Sequence, residues 1–189
     1  MKKIFGLLFI LSVIIFSCKK DTPAPAAPVI TYSAWSSCTN GVQTRTYTVS
    51  GGTATAPADS LTRACDYSSI STGSWKVTAD SVYVAQVNQT FDILNDTAFY
   101  QVCEIDDVYT FNANNTYNLA DAGTVCSPDG STSGTWAISA NKFIWDGDTQ
   151  NPFPIVFFSS SKMILNYSST FAQGGVTYNY TLKTTYTKL

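Results

Sequence analysis

The strongest regular pattern in the chain is an alternation of apolar and polar residues over positions 176–186. A period of two is typical of a β-strand with one face buried and the other in water. A slip of one residue would bury a lysine and expose two tyrosines, so the alternation also predicts where each side chain points. The side chains predicted to point inward are Val176, Tyr178, Tyr180 and Leu182, and those predicted to face water are Thr177, Asn179, Thr181 and Lys183.

Shorter apolar segments separated by polar turns fill much of the chain after residue 70. Each pair of neighbouring segments is joined by a few Asn, Ser or Ala residues, which is typical of a β-hairpin. A spacing of about eight to twelve residues between strands indicates an all-β meandering barrel or sandwich, and no helical period follows the N-terminal segment. The predicted hairpins pair 108–111 with 116–119, 135–139 with 143–145, and 155–158 with 163–167.

The N-terminus carries a different pattern, in which a basic start precedes a long apolar run. Lys2 and Lys3 come before the almost wholly apolar stretch 4–16, and Ser17 follows it. This order describes a secretory signal peptide over residues 1–17. The alternative is a transmembrane anchor, but a membrane span needs about 20 apolar residues and this run is shorter.

The end of the apolar run, residues 15–18 (Ile-Phe-Ser-Cys), resembles the bacterial lipobox, where lipoproteins are cut and lipidated. The resemblance implies that Cys18 becomes the mature N-terminus and carries diacylglycerol and an acyl chain such as palmitate, which together anchor a protein stably. Lys19, in place of the aspartate associated with inner-membrane retention, implies the outer membrane, with its periplasmic or surface-exposed face left open. Residues 18–28 are predicted to be this lipidated N-terminus and a Pro/Ala linker. Ordinary secretion is the alternative.

Composition excludes several classes of function. The chain of 189 residues has a net charge of −2, only 13% charged residues and no histidine. Without histidine there is no Ser-His-Asp or Cys-His nucleophile, no imidazole proton shuttle and no histidine zinc ligand. A near-neutral chain also lacks the basic stripe that nucleic acids require. An enzyme therefore has little support, and neither a cofactor nor a metal is expected.

Four cysteines remain after Cys18, and they indicate an oxidising compartment. Four cysteines allow three pairings, which the sequence alone cannot separate. Because each neighbouring pair falls inside its own patterned segment, the favoured scheme links Cys38 to Cys65 and Cys103 to Cys126. A metal site of four thiolates is the alternative, but it would lack any C-x₂-C pair.

Residues 29–70 form a short segment rich in Ser, Thr and Gly. Within it, the W-S-x-C run from Trp35 to Cys38 and the G-x-x-x-R run from Gly41 to Arg45 resemble a thrombospondin type-1 repeat, although such repeats usually carry six cysteines. The resemblance implies that the arginine stacks on the tryptophan, a cation–π contact of roughly 0.5–2 kcal/mol. The alternative is a disulfide-closed β-hairpin without a tie to that family.

Three short motifs stand out in the remaining chain. The first is Gly73-Ser-Trp75, with the order G-x-W, and the second is 103–112, which reads C-E-x-D-D-x-Y-x-F-N. The third, a predicted strand at 133–136, reads S-G-T-W. In this order and spacing they resemble the lipocalin-like domain of bacterial lipoproteins, in which G-x-W opens the first strand. The resemblance implies that residues 71–189 form a small antiparallel barrel of about eight strands. It implies little about activity, because a fold does not determine function.

Carboxylates and aromatic residues supply the candidate binding chemistry. Glu104, Asp106 and Asp107 are the densest carboxylates, and their interpretation is a solvated strand entrance rather than an acid–base pair. The segment 146–151 offers oxygens at alternate positions but lacks the glycine and terminal glutamate of an EF-hand, so it is interpreted as a polar turn. Aromatic residues on predicted strands are either core or ligand contacts, and they are Trp75, Tyr109, Phe111, Trp136, Trp145, Tyr178 and Tyr180.

Two hypotheses for function follow. The leading one is a non-catalytic module that holds a small apolar ligand in its barrel, because an eight-stranded barrel either fills its interior or holds one small ligand. The alternative is a structural or interaction lipoprotein that contacts an envelope protein or glycan through its loops or through residues 29–70. An open apolar cavity would favour the first hypothesis, and a filled interior the second. In both, the membrane is contacted through the lipid on Cys18.

Overall fold

The computed structural model describes residues 27–189. The predicted signal peptide, Cys18 and most of the Pro/Ala linker lie outside the described residues, so the predictions made for them stay predictions. Between residues 27 and 189, no helix is long and apolar enough to cross a membrane.

The described chain forms fourteen β-strands and three short 3-10 helices. The strands are β1 (Val29–Tyr32), β2 (Cys38–Thr39), β3 (Val42–Thr44), β4 (Tyr47–Ser50), β5 (Thr62–Ala64), β6 (Ser74–Val84), β7 (Gln89–Asp92), β8 (Val108–Phe111), β9 (Thr116–Ala120), β10 (Thr132–Ser139), β11 (Lys142–Trp145), β12 (Phe153–Phe158), β13 (Lys162–Gln173) and β14 (Val176–Lys188). The 3-10 helices are Ala58–Ser60, Ser68–Thr72 and Val102–Glu104. The three predicted hairpins correspond to β8–β9, β10–β11 and β12–β13.

Eight of these strands close into an antiparallel barrel. Their order around the wall is β6, β14, β13, β12, β11, β10, β9 and β8, and β8 pairs with β6 again. The contact between β11 and β12 is the shortest, since it consists of two residue pairs, Lys142 with Pro154 and Phe143 with Phe153. The prediction of an all-β antiparallel barrel of about eight strands is confirmed.

One end of the barrel is filled with aromatic side chains. Trp75, Phe111 and Phe143 are each at most 1% exposed, and the rings of Phe111 and Phe143 meet edge to face at 5.5 Å between centroids. The indole N–H of Trp75 donates to the carbonyl of Ile70 at 2.8 Å, so the polar atom of this buried ring is satisfied. Packing at this end therefore leaves space for a ligand only towards the opposite end of the barrel.

A β-bulge in β6 changes which face of that strand points into the barrel. The register against β14 shifts at Thr78, which is left without a partner in the ladder. Odd-numbered side chains such as Trp75 point inward before the bulge, and even-numbered side chains such as Asp80 point inward after it. The bulge therefore places a carboxylate on the inner wall.

The far ends of β13 and β14 extend beyond the barrel wall as a hairpin. Its turn is formed by Gly174 and Gly175, which both have a positive φ. Val176 is 49% exposed, so the prediction that it points inward is wrong. It lies on the part of β14 that extends past the barrel, where no opposite strand of the described chain covers its side chain. Tyr178 is half-buried against Phe171, whose ring it stacks on at 5.0 Å.

The N-terminal segment continues the barrel sheet outward. β2 pairs with the end of β12, where Cys38 faces Phe158, and β3 and β5 follow it in the sheet, while β1 and β4 pair with each other. Cys38 is 1% exposed within the barrel core, and the ring of Tyr67 packs on Phe158 at 5.0 Å. The hydroxyl of Tyr67 also donates to the side chain of Asn141, in the turn between β10 and β11. The segment and the barrel thus share both a sheet and a core.

Candidate ligand-binding site

The unfilled end of the barrel is a chamber of about 590 Å³. Its wall is formed by side chains from seven barrel strands and from the segment 93–107, which connects β7 to β8. Volumes of about 300–1,000 Å³ are typical of small-molecule sites. The lining residues are Val77, Asp80, Phe99, Tyr100, Glu104, Asp107, Tyr109, Tyr117, Leu119, Thr132, Trp145, Asp146, Phe153, Leu182, Thr184 and Tyr186.

Two contacts hold the segment 93–107 against the chamber. The hydroxyl of Tyr100 donates to Oδ2 of Asp80 on β6, at 2.5 Å. The disulfide between Cys103 and Cys126 ties the segment to the loop that follows β9. The segment is therefore fixed both to the inner wall and to a neighbouring loop.

Asp80 is the most deeply buried carboxylate between residues 27 and 189, at 2% exposure. The hydroxyl of Thr184 donates to its Oδ1 at 3.0 Å, and Tyr100 donates to its Oδ2. Burial raises the pKa of Asp80, an effect that these two hydrogen bonds oppose. Burial, together with the neighbouring Asp80 carboxylate, also raises the pKa of Tyr100 well above its usual range.

Three further carboxylates line the chamber at separate places, namely Glu104, Asp107 and Asp146. Burial, followed by the nearby Asp121, raises the pKa of Asp107. Asp146 accepts a hydrogen bond from the backbone N–H of Thr135 at 2.8 Å. Across residues 27–189, no three acidic or cysteine side chains lie close enough to hold a metal ion together.

Aromatic rings form one side of the chamber. The ring of Trp145 lies 4.9 Å from that of Tyr117, edge to face, and 5.8 Å from that of Tyr109. Tyr109 in turn meets Tyr186 edge to face at 5.6 Å. Burial raises the pKa of Tyr109 to about 12, so its phenol stays protonated near neutral pH. The chamber thus combines carboxylates with neutral aromatic rings.

A second cavity of about 650 Å³ adjoins the chamber under the extended ends of β6 and β14. We call it the groove. Phe99 and Leu182 line both cavities, so the two meet at these side chains. Most of the groove wall is apolar, and Phe91 and Phe99 are 46% and 62% exposed. The groove residues are Val82, Val84, Phe91, Ile93, Asp96, Phe99, Phe171, Tyr180 and Leu182.

The seven candidate aromatic residues occupy three environments. Tyr109 and Trp145 line the chamber, and Tyr180 lines the groove. The other four line neither of these two cavities. Three of the four pack in or against the filled core and the fourth lies on the outer hairpin, and these residues are Trp75, Phe111, Trp136 and Tyr178.

Sequence reasoning missed several residues of the chamber. Asp80 was not expected there, because strict alternation from Trp75 and Val77 would place it on the outer face and only the bulge at Thr78 turns it inward. Tyr186 continues the alternation of the last strand and could have been included for that reason. Tyr100 gave no such signal, because it lies outside any strand and reaches the chamber through the path of a loop.

The N-terminal segment contains the expected Trp–Arg contact within a longer stack. The guanidinium carbon of Arg45 lies 4.4 Å from the ring centre of Trp35 and 3.9 Å from that of Tyr32. A second guanidinium, of Arg63, lies 4.5 Å from the same indole. Nε of Arg45 also donates to the carbonyl of Ser60 at 2.7 Å, which fixes the plane of the guanidinium.

Both disulfides of the nearest-neighbour scheme are present. Cys38 pairs with Cys65 at a Cα–Cα distance of 5.6 Å, and Cys103 pairs with Cys126 at 5.2 Å. These distances fall within the usual range for disulfides, about 4.4–6.8 Å. The first disulfide lies within the N-terminal segment. The second joins the segment 93–107 to the loop after β9, beside the chamber.

The two oxygen-rich segments singled out in the sequence are turns and strand entrances. Asp106 precedes β8, and its Oδ2 accepts a hydrogen bond from the backbone N–H of Thr124 at 2.9 Å. In the turn after β11, Oδ1 of Asp148 accepts from the backbone N–H groups of Gln150 and Asn151. Asp106 and Asp148 thus stabilise local backbone, whereas Glu104, Asp107 and Asp146 from the same two segments line the chamber.

Part of the barrel is similar to a known protein family. Residues 72–165 match the family model of the lipocalin-like domain, a range that begins just before β6 and ends within β13. No curated protein matches the chain. The match and the closed eight-stranded wall agree on a lipocalin-like barrel.

Proposed function

We propose that this lipocalin-like barrel is the binding part of a lipid-anchored cell-envelope protein, which holds a small, largely apolar molecule without transforming it. The observation that carries the proposal is the chamber of about 590 Å³ at the open end of a barrel whose other end is filled. The adjoining groove supplies the apolar surface that such a ligand would contact. Concave, partly apolar cavities with a few polar groups are the usual form of a ligand site.

The chemistry of the chamber supports binding over catalysis. Its carboxylates lie at separate places on the wall, and Asp80 is held by hydroxyl donors rather than by a base. The chain has no histidine to act as a general base or to activate a nucleophile.

Binding of a neutral apolar fluorophore, N-phenyl-1-naphthylamine, tests the proposal. Leu182→Trp places an indole where the chamber meets the groove, and we expect it to weaken binding by about tenfold or more. Lys183→Trp is the matched control, because the adjacent side chain of the same strand points to the other face. If the folded wild-type protein fails to bind the fluorophore, the proposal is wrong.

Membrane attachment is tested separately by metabolic labelling with a fatty acid. Cys18 lies outside the described residues, and its lipidation is proposed from the lipobox resemblance alone. We expect the full-length chain to be labelled and to sediment with the outer membrane, and Cys18→Ser to lose both properties. A Cys18→Ser chain that kept the label would contradict the anchor.

A second candidate function is contact with an envelope protein or glycan through the N-terminal segment. The stack of Trp35 with Arg45 and Arg63 favours it, since this aromatic and cationic surface is only half-buried and lies away from the barrel core. Trp35→Ala should then lose binding to isolated envelope polysaccharide or envelope protein while keeping fluorophore binding. Equal binding by both chains would exclude this surface as the site of contact.

A further inference from the structure

We propose that the ligand is a cationic amphiphile, with a protonated amine in the chamber and an apolar chain in the groove. The inference rests on the proposed function, because it names the chemistry of the molecule that the barrel would hold. It departs from the expectation of a purely apolar ligand, since the chamber is not an apolar cavity.

The first step is the charge of the chamber wall. Four carboxylates line it, and no lysine or arginine is among the lining side chains in the described part of the chain. Asp80 is on β6, Glu104 and Asp107 are on the segment 93–107, and Asp146 follows β11. Asp80 is buried and Glu104 and Asp107 are half-buried, so their negative charges are costly without a compensating positive charge. A cationic group in the chamber would provide that charge.

The second step is the hydrogen-bonding state of these groups. Asp80, which is 2% exposed, receives hydrogen bonds from neutral hydroxyls, and Asp107 has an enclosed Oδ1 with no hydrogen-bond partner among residues 27–189. An ammonium group carries several N–H donors and no acceptor. It therefore matches a wall that is rich in acceptors.

The third step is the aromatic side of the chamber. The ring of Trp145 lies 4.9 Å from that of Tyr117 and 5.8 Å from that of Tyr109. A cation near the face of such rings is attracted by their quadrupoles, and Trp and Tyr are the best partners. Carboxylates and rings together favour an organic cation, and the separation of the carboxylates does not suit a single metal ion.

The fourth step is the groove beside the chamber, which shares two wall side chains with it. Phe99 and Leu182 belong to both cavities, and beyond them the groove is lined almost entirely by apolar side chains. Asp96 and the hydroxyl of Tyr180 are its main polar groups. A molecule that occupies both cavities must be charged at one end and apolar at the other.

The test compares three ligands that share one alkyl chain, namely dodecylamine, dodecanol and dodecanoate, in displacement of N-phenyl-1-naphthylamine at neutral pH. We expect the protonated amine to bind about tenfold more tightly than the alcohol, and the carboxylate to bind most weakly. Concentrations are kept below those at which the ligands form micelles.

Two double variants of equal net charge locate the effect. Glu104→Gln with Asp107→Asn removes two chamber charges, and we expect the ratio of amine to alcohol affinity to fall to about threefold or less. Asp59→Asn with Asp129→Asn removes two exposed charges elsewhere, and the preference should persist. If the chamber variant does not fold, the ranking of the three ligands on the wild-type protein still decides the question.

The outcomes separate the two proposals. If the fluorophore and the alcohol bind but the amine has no advantage, or if dodecanoate binds best, the cationic ligand is refuted and the binding function stands. If the control variant loses the preference as fully as the chamber variant, long-range charge explains it and the chamber assignment is wrong. If neither the fluorophore nor any of the three ligands binds the folded protein, the binding function itself fails.

Discussion

Buried carboxylates without a cationic partner are unusual in folded proteins, and Asp80 is one of them. The bulge at Thr78 turns it inward, Tyr100 and Thr184 donate to its two oxygens, and burial raises its pKa. Through Tyr100, Asp80 holds the segment 93–107 against the chamber. Its ionisation therefore links the stability of the protein to pH.

Asp80→Asn should change how stability depends on pH. Because the folded state raises the pKa of Asp80 above its ordinary value of 3.8, the folded state binds the proton more tightly than the unfolded chain does. The cost of ionising this group is absent below that value and grows as the pH rises through the folded pKa. The difference in free energy of unfolding, variant minus wild type, should therefore increase as the pH rises above about 4. Urea unfolding at several pH values measures it, and a constant difference would contradict the prediction.

Arg45 shows how one residue can serve two kinds of contact. Its guanidinium lies near both Tyr32 and Trp35, and Nε donates to the carbonyl of Ser60. Arg45→Lys removes the planar group and should lower the free energy of unfolding by about 1–2 kcal/mol. Arg63→Lys is the matched control and should cost less, because Arg63 is exposed. Equal losses in the two variants, measured by chemical denaturation, would argue against the stack around Arg45.

The side chains of β13 and β14 pack in the core at one end of this hairpin and line the groove farther along it. Near the filled end, Met163 and Leu165 are buried in the core. Farther along, Phe171 and Tyr180 line the groove and remain partly accessible. The same alternation of apolar and polar residues thus produces packing at one end and a binding surface at the other.

Tyr180→Ala should affect binding more than stability. Tyr180 is half-buried, and its ring meets only Phe171 among aromatic residues of the described chain, at 6.0 Å. We expect a loss of about 1–2 kcal/mol in stability and a clear loss of fluorophore binding. Phe111→Ala, at a site 1% exposed, should cost about 3–5 kcal/mol. If thermal and chemical unfolding gave the two variants equal losses, Tyr180 would be a core residue.

Alternation and turn composition were sufficient to predict the barrel hairpins and the long final strand. They were insufficient for Val176, because alternation reports which side chains share a face and not whether anything covers that face. They also missed the chamber, since Tyr100 and Glu104 reach it through the path of a loop. Asp80 points inward because of a bulge, which shifts the period of two by one residue without a clear signal in the sequence.

Within residues 27–189, the N-terminal strands β2, β3 and β5 belong to the same sheet as the barrel, while β1 and β4 form a separate pair. Cys38 on β2 lies opposite Phe158 on β12, 120 residues later in the chain, and both are buried in the same core. Asn141 reinforces the junction, because it accepts from Tyr67 and donates to the carbonyl of Ile155 at 3.0 Å. Such distant pairing could not be predicted from local patterns, which describe only neighbouring residues.

Cooperative unfolding of the N-terminal segment and the barrel should follow from this junction. In hydrogen–deuterium exchange, amides of β2 and β3 should open with the same free energy as those of β12. Asn141→Ala should lower that free energy for both regions together, by about 1–3 kcal/mol, because it leaves buried partners unsatisfied. If the N-terminal strands opened at markedly lower free energy than β12, the two regions would be independent units.

The pairing of β2 with β12 also bears on self-association. Residues 155–158 of β12 are all apolar, and β11 covers only the beginning of this strand. An uncovered apolar edge is a template on which a second chain can add a strand. The N-terminal strands cover the remaining edge and leave β5 as the last strand of the sheet, three exposed residues with Arg63 at their centre. An apolar edge is thereby replaced by a short, exposed edge that carries a charge, which discourages aggregation at high local concentration.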